Sequence, residues 1–218
     1  MFDYQKAIKQ GHQLPILRYL NVDLYVNRPL GGIIARALYG TRVTPNQLTV
    51  ASFLFNMLGA AAFCLGNTRA VVAGVLLQIA GNILDSADGM LARSRGTCND
   101  FGATLDLLLD RIGDLFLYGS VIVAYYRLTH DPLLAIAALV GLAMFNLQVT
   151  LYYLVEAYKG VKKTGLSGES RALVSWLIFA CMLLSRPDIL MWVIVVEPVA
   201  NVIYRVVYFL SLRRRPAG

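Results

Sequence analysis

Apolar runs about as long as a bilayer is thick recur along this chain, separated by short polar breaks. A helix needs roughly 20 predominantly apolar residues to cross the hydrocarbon core. Six stretches meet that length: 44–66, 69–92, 101–127, 132–158, 170–186 and 188–211. Ahead of them, NRPLGGIIARALYG is shorter and two-faced. Leu30, Ile33, Ile34, Ala37 and Leu38 fall at helical spacing, with Arg28 and Arg36 on another face. That pattern predicts an amphipathic helix lying on the membrane surface. The predicted fold is therefore all-α: a polytopic membrane protein of six transmembrane helices plus an N-terminal interfacial amphipathic helix. The expected organisation is an interfacial and cytoplasmic segment over 1–43, a six-helix domain over 44–211, and a basic tail over 212–218.

Composition agrees with this. The 218 residues are 57% hydrophobic and 15% charged, against about 25% charged in a typical soluble domain. A net charge of +7 could suggest nucleic acid, but the charge follows topology instead. With the N-terminus inside, Lys6, Lys9, Arg18, Arg28, Arg36, Arg42, Arg93, Arg95, Lys159, Lys162, Lys163, Arg171 and Arg213 to Arg215 all lie on one side. Only Arg69, Arg127 and Arg186 fall in the opposite turns. This is the positive-inside distribution. It places both termini in the cytoplasm of a bacterial or archaeal cell, and it makes anionic lipid, not nucleic acid, the partner of the basic surface. The opening MFDYQKAIKQGH lacks the apolar run of a cleavable signal peptide, and none is expected. Cys64, Cys98 and Cys181 are too few and too scattered for a disulfide framework or a zinc site.

Against this apolar background, DSADGMLARSRGTCNDFGATLDLLLD (85–110) is anomalous. Positions 85, 88, 89 and 92 share one helix face and read Asp, Asp, Gly, Ala. On the next helix, 102, 106, 110 and 113 read Gly, Asp, Asp, Gly, with Asp114 beside them. Asp85 precedes Arg93 by about 12 Å at a ~1.5 Å rise per residue. Asp106 and Asp110 follow soon after the loop 94–100, so the four carboxylates can converge at one depth, in a cavity open to the cytoplasm. An aspartate inside a membrane helix costs roughly 2.5–3.5 kcal/mol, and four unpaired would cost on the order of 10–14 kcal/mol. Such an all-oxygen, highly charged site suits Mg²⁺, Mn²⁺ or Ca²⁺. The residues of small side chain beside the acids leave room for a ligand to approach the backbone. Polar stripes on other helices (Thr49, Ser52 and Asn56; Gln78, Asn82 and Asp85; Glu197, Asn201, Arg205 and Tyr208) are expected at the same inward level.

Paired metals held by carboxylates serve phosphoryl-type displacement, because they stabilise both the attacking and the leaving oxygen. One carboxylate can also take a proton from an attacking hydroxyl. Arg93, Arg205 and the loop residues Lys159, Lys162, Lys163 and Arg171 are candidates for holding further phosphate.

Asp85-x-x-Asp88-Gly89-x-x-Ala92-Arg93, eight residues, then Gly102-x-x-x-Asp106-x-x-x-Asp110 resembles the signature of the CDP-alcohol phosphotransferase (CDP-alcohol phosphatidyltransferase) family, with every fixed position filled. VTPNQLT (43–49) also resembles the family's approach to its first helix. The resemblance implies a six-helix membrane enzyme, commonly a homodimer, that uses two divalent ions, Mg²⁺ or Mn²⁺. It implies cleavage of a CDP-linked alcohol, transfer of the phospho-alcohol to an acceptor hydroxyl, and release of CMP. By matching position, Asp85, Asp88, Asp106 and Asp110 are implied metal ligands, with Asp110 the favoured general base and Asp106 beside it at the reacting centre. Gly89, Ala92, Arg93 and Gly102 are implied to shape the CMP and diphosphate pocket. The resemblance leaves two donors open: CDP-diacylglycerol, with glycerol phosphate, inositol phosphate or serine attacking, or a soluble CDP-alcohol such as CDP-inositol or CDP-choline, with a lipid or a phosphorylated polyol as acceptor. The basic residues favour a phosphorylated polyol such as inositol phosphate or glycerol phosphate, since an uncharged diglyceride would not need them.

Two other readings use aspartate-rich membrane helices. A membrane prenyltransferase keeps its acid motifs in separate halves of a longer chain, whereas Asp88 and Asp106 are close together here. A divalent-cation transporter usually holds its ion near the midplane between inverted repeats, and no such repeat is visible.

Overall fold

The computed structural model describes residues 23–159, scattered positions between 176 and 186, and 187–212. Most of the fifth expected span (170–186), most of the basic loop and the tail beyond 212 lie outside the described residues, as does the chain before 23. After a π-helical turn at Asp23–Asn27 come α1 (Arg28–Leu38), α2 (Pro45–Cys64), α3 (Thr68–Arg95), α4 (Asp100–Thr129), α5 (Pro132–Lys159) and α6 (Pro187–Leu212). The five long helices match the expected spans to within a few residues, and there is no strand among the described residues. Three stretches, Pro45–Cys64, Thr68–Arg95 and Pro132–Leu151, are apolar enough over a bilayer's length to cross it. Arg111, Asp114 and the motif acids make the first half of α4 more polar.

Local chemistry sets where helices begin. Thr44 accepts from the Gln47 backbone N–H while the Gln47 side chain accepts from the Thr44 N–H, a reciprocal capping box ahead of Pro45. Asn67 and Asn99 cap α3 and α4, and Gly96 ends α3 in the left-handed region at φ 66°, where glycine carries no Cβ penalty. The four residues 96–99 therefore turn the chain back on itself, and α3 and α4 run in opposite directions from that turn.

Packing in lipid cannot draw on expulsion of water between helices, so close backbone approach matters more. A Cβ on Gly59 would sit 2.9 Å from the Gly74 carbonyl oxygen, and one on Gly81 would overlap the Asn56 side chain. These contacts seat α2 on α3. On the other side of the bundle, a Cβ on Gly141 of α5 would collide with the backbone of Ile194 on α6. Helix α4 packs on α2 and α5, and makes little close contact with α3. A large apolar cluster, including Phe63, Val75, Val121, Phe145 and Met191, joins α2 through α6. A smaller one (Ala35, Leu48, Ala87, Met90, Leu91) lies under α1.

Helix α1 departs in one respect from the expected surface helix. Its buried face is the small one, Gly31, Gly32 and Ala35, and Gly31 is seated on Ile83, Ser86 and Ala87 of α3. Leu30 and Ile33 of the apolar stripe remain exposed, while Ile34 and Leu38 pack on the small cluster. The helix therefore has one face for the protein and another available to lipid.

Because Gly141 meets backbone atoms that cannot rotate away, Gly141→Val is expected to destabilise the fold by about 1–3 kcal/mol, the usual cost of overpacking. Gly119→Ala, where nothing lies within 4 Å, should leave thermal unfolding in detergent unchanged; equal unfolding temperatures for the two variants would refute this packing.

Candidate active site

The opposed run of α3 and α4 from the 96–99 turn brings the motif acids to one level. One carboxylate oxygen each from Asp85, Asp88 and Asp106 lies within 4.8 Å of the other two. Asp88 is buried, and the other two are half-buried. At that spacing each pair of ionised carboxylates repels by on the order of 3 kcal/mol at an effective dielectric of about 20. Three hard oxygen donors so placed fit a divalent cation, which would convert that repulsion into coordination.

Helix α2 supplies the third wall. The Thr49 hydroxyl donates to Asp88 Oδ2 at 2.6 Å, a short charge-assisted bond. The same hydroxyl lies 3.2 Å from the Pro45 carbonyl oxygen. One turn past Asp106, Asp110 lines a small open cleft together with Asp85, Thr49, Ser52, Asn56, Gln78, Gly113 and Asp114. Two of the expected polar stripes therefore do converge. Gln78 Nε2 donates to the Asn56 carbonyl oxygen at 2.8 Å, and Gly113 has nothing within 4 Å of an added Cβ, so the wall stays open there.

The residues expected to shape the nucleotide pocket, Gly89, Ala92, Arg93 and Gly102, are not among those that line this cleft. The Arg93 guanidinium covers Gly89, with Nη1 3.0 Å from where a Cβ would be. Gly102 opens α4 against α2: its N–H donates to Asn99 Oδ1 at 2.7 Å, and an added Cβ would meet Asn46 Oδ1 at 3.1 Å. Ala92, between them in sequence, is half-buried.

The stripe on α6 behaves differently. Glu197 is exposed and accepts from Asn201 Nδ2 at 2.7 Å, and no α6 residue lines the cleft among the described residues. The reason is packing: α6 rests mainly on α5. The side chains of Lys159, Arg205 and Tyr208 lie outside the described residues, as do Lys162, Lys163 and Arg171 entirely.

Two arginines have roles that the pattern of charges did not indicate. Arg111 pairs with buried Asp114 at 2.9 Å and places its guanidinium carbon 5.9 Å from the centre of the Phe145 ring. The three-residue spacing of that pair was the available signal. Arg95, expected only to set topology, donates to carbonyl oxygens of Leu38, Tyr39, Thr41 and Val43. No local pattern announces that contact.

The family model for CDP-alcohol phosphatidyltransferase matches residues 42–204. The chain belongs to the CDP-alcohol phosphatidyltransferase family. An archaetidylinositol phosphate synthase of Pyrococcus horikoshii is 30% identical over 173 residues, covering 71% of this chain and 88% of that one. A bifunctional IPC transferase and DIPP synthase of Aquifex aeolicus is 37% identical over 120 residues, which span 55% of this chain but only 26% of the relative. Among solved structures, Mycobacterium tuberculosis phosphatidylinositol phosphate synthase with CDP-DAG bound shares the fold at a TM-score of 0.68 and 24% identity, over 84% of this chain and 92% of the other. The same enzyme with manganese and citrate gives 0.66 at 25% identity, over 83% and 87%.

As a CDP-alcohol phosphatidyltransferase, the protein is an integral membrane enzyme that depends on a divalent cation. It transfers a phospho-alcohol or phosphatidyl group from a CDP-alcohol to an acceptor hydroxyl. This sets aside the prenyltransferase and transporter readings. An added methyl at Gly89 would have to displace the Arg93 guanidinium, which is a flexible side-chain end. Gly89→Ala should therefore fold normally and, if Gly89 borders the nucleotide as the motif resemblance implies, raise the KM for the CDP-alcohol several-fold, more than it lowers kcat. A KM equal to wild type would place the nucleotide elsewhere.

Proposed function

We propose that this enzyme joins a membrane-borne CDP-linked glycerolipid to a phosphorylated polyol, inositol phosphate in the first instance, and releases CMP. The reading rests on one coincidence. The acid cluster and cleft occur in a chain that resembles, over 71% of its own length and 88% of the relative's, an enzyme named for making archaetidylinositol phosphate. The similar fold that holds CDP-DAG supports the lipid donor. The basic positions Lys159, Lys162, Lys163, Arg171 and Arg205 suit a charged acceptor, because a phosphate needs cationic partners that a plain alcohol does not. We further place the site and both termini on the cytoplasmic side, following the lysine and arginine distribution, in a homodimer.

In this reading Asp85, Asp88, Asp106 and Asp110 would hold two Mg²⁺ or Mn²⁺ ions, which when bound supply charge neutralisation to the diphosphate and to the departing phosphate oxygen. The chain's own groups do the rest. Thr49 holds the Asp88 carboxylate in place. Gly89, Ala92 and Gly102 admit the nucleotide close to the backbone, and Arg93 grips phosphate. Asp110 takes the proton from the acceptor hydroxyl as its oxygen bonds to the phosphorus carrying the lipid. The bond from that phosphorus to the oxygen of CMP breaks, and CMP leaves with the electron pair.

Asp106→Asn and Asp110→Asn are each expected to abolish CMP release while leaving the elution profile of the purified protein unchanged. EDTA should silence the wild type and excess Mn²⁺ should restore it. Substantial turnover by both variants would sink the ligand assignment.

The acceptor is tested by supplying CDP-diacylglycerol with inositol phosphate, glycerol phosphate or free inositol and weighing the lipid product. Inositol phosphate should be consumed fastest. Lys163→Ala, Arg171→Ala and Arg205→Ala should raise its KM about 10-fold or more with little change in kcat. Faster reaction with free inositol would overturn the phosphorylated acceptor.

A further inference from the structure

We infer that Arg95 is a positioning residue for the acid cluster, acting through the linker 39–43 and the start of α2. The inference rests on reading Asp88 as a metal ligand. Arg95 is the last residue of α3, and its guanidinium closes the gap between α1 and α2. Nε donates to the Tyr39 carbonyl oxygen at 3.1 Å, one terminal nitrogen to Val43 at 2.5 Å, and the other to Thr41 at 3.0 Å and to Leu38. Leu38 ends α1, where carbonyls lack intrahelical partners, and Val43 directly precedes the Thr44 cap of α2.

Four bonds from one planar group fix both ends of the linker relative to the end of α3. A guanidinium has five N–H donors in a rigid fork, whereas an ammonium has three around a point. Lysine could keep the charge but not span the same carbonyls. The start of α2 then decides where Thr49, one turn into the helix, meets Asp88. From the other side, Gly31 seats α1 on Ile83, Ser86 and Ala87, the turn of α3 that carries Asp85 and Asp88. Helix α1 and Arg95 together splint the acid-bearing turn from outside the site, without touching the cleft.

A residue acting this way should change metal affinity through Thr49, and that coupling separates it from a residue that merely holds the fold. The experiment measures Mn²⁺ binding to the purified full-length protein by calorimetry and electron paramagnetic resonance, beside activity. Thr49→Val should weaken Mn²⁺ by about 10–100-fold, the usual effect of losing a partner of a metal ligand, and Thr49→Ser should restore it. Arg95→Lys and Arg95→Gln should each weaken Mn²⁺ several-fold and raise the Mn²⁺ needed for half-maximal turnover. In the Thr49→Val background the Arg95 effect should shrink to less than about 2-fold, because coupled residues are not additive. Thr44→Ala, which removes the cap just beyond the linker, should act in the same direction and serves if the Arg95 variants do not fold.

Wild-type Mn²⁺ affinity in the Arg95 and Thr44 variants, or a full Arg95 effect without the Thr49 hydroxyl, would overturn the proposal. Failure of the ligand reading itself looks different: Asp88→Asn would then leave Mn²⁺ binding unchanged.

Discussion

Carboxylates gathered within 4.8 Å of one another in a lipid-embedded bundle impose a constraint that the rest of the structure accommodates. Their oxygens lie close enough to fit one cation, yet the two helices that carry them stand apart. The solution is indirect packing. Helices α3 and α4 each rest on α2 and barely on each other, so the gap between them becomes the cleft. Helix α2 is then more than a spacer. Its Thr49 donates to Asp88 and its Ser52 and Asn56 continue the polar wall.

That arrangement requires α3 to be held firmly against both α2 and α1. Gly59, Gly74 and Gly81 let α2 and α3 approach to backbone contact, which lets dispersion act where no hydrophobic expulsion is available. Gly31 does the same for α1. Other glycines do the opposite: Gly113 preserves empty space, and Gly89 makes room for an arginine head. One residue type thus serves adhesion in one place and access in another, and the difference lies entirely in what stands opposite.

The arginines divide in a similar way. Arg93 lies over Gly89 on its own helix. Arg111 is drawn sideways to Asp114 and the Phe145 ring, linking α4 to α5. Arg95 serves backbone carbonyls. All three add positive charge along α3 and α4 on either side of the 96–99 turn, so a count of charges would treat them alike. Only Arg93 belongs to the motif shared with the family.

Helix number and limits for the described spans were legible in the chain because apolar length and capping chemistry are local: Thr44 with Gln47, Asn67, Asn99 and Gly96 act on neighbours within four residues. The acid cluster was legible for the same reason. Three- and four-residue spacing puts Asp85 with Asp88 and Asp106 with Asp110, and a four-residue turn sets the two helices level. The chain by itself therefore determined a helical membrane enzyme with a carboxylate site near one end of its helices. What it left open depended on which faces meet across long sequence separations. That Glu197 is exposed, that α1 buries Gly31 and Gly32 while Leu30 and Ile33 stay exposed, and that Arg95 reaches back more than fifty residues to the α1–α2 linker were decided only in three dimensions. Periodicity orders side chains around one helix, but it carries no information about which helix will stand opposite.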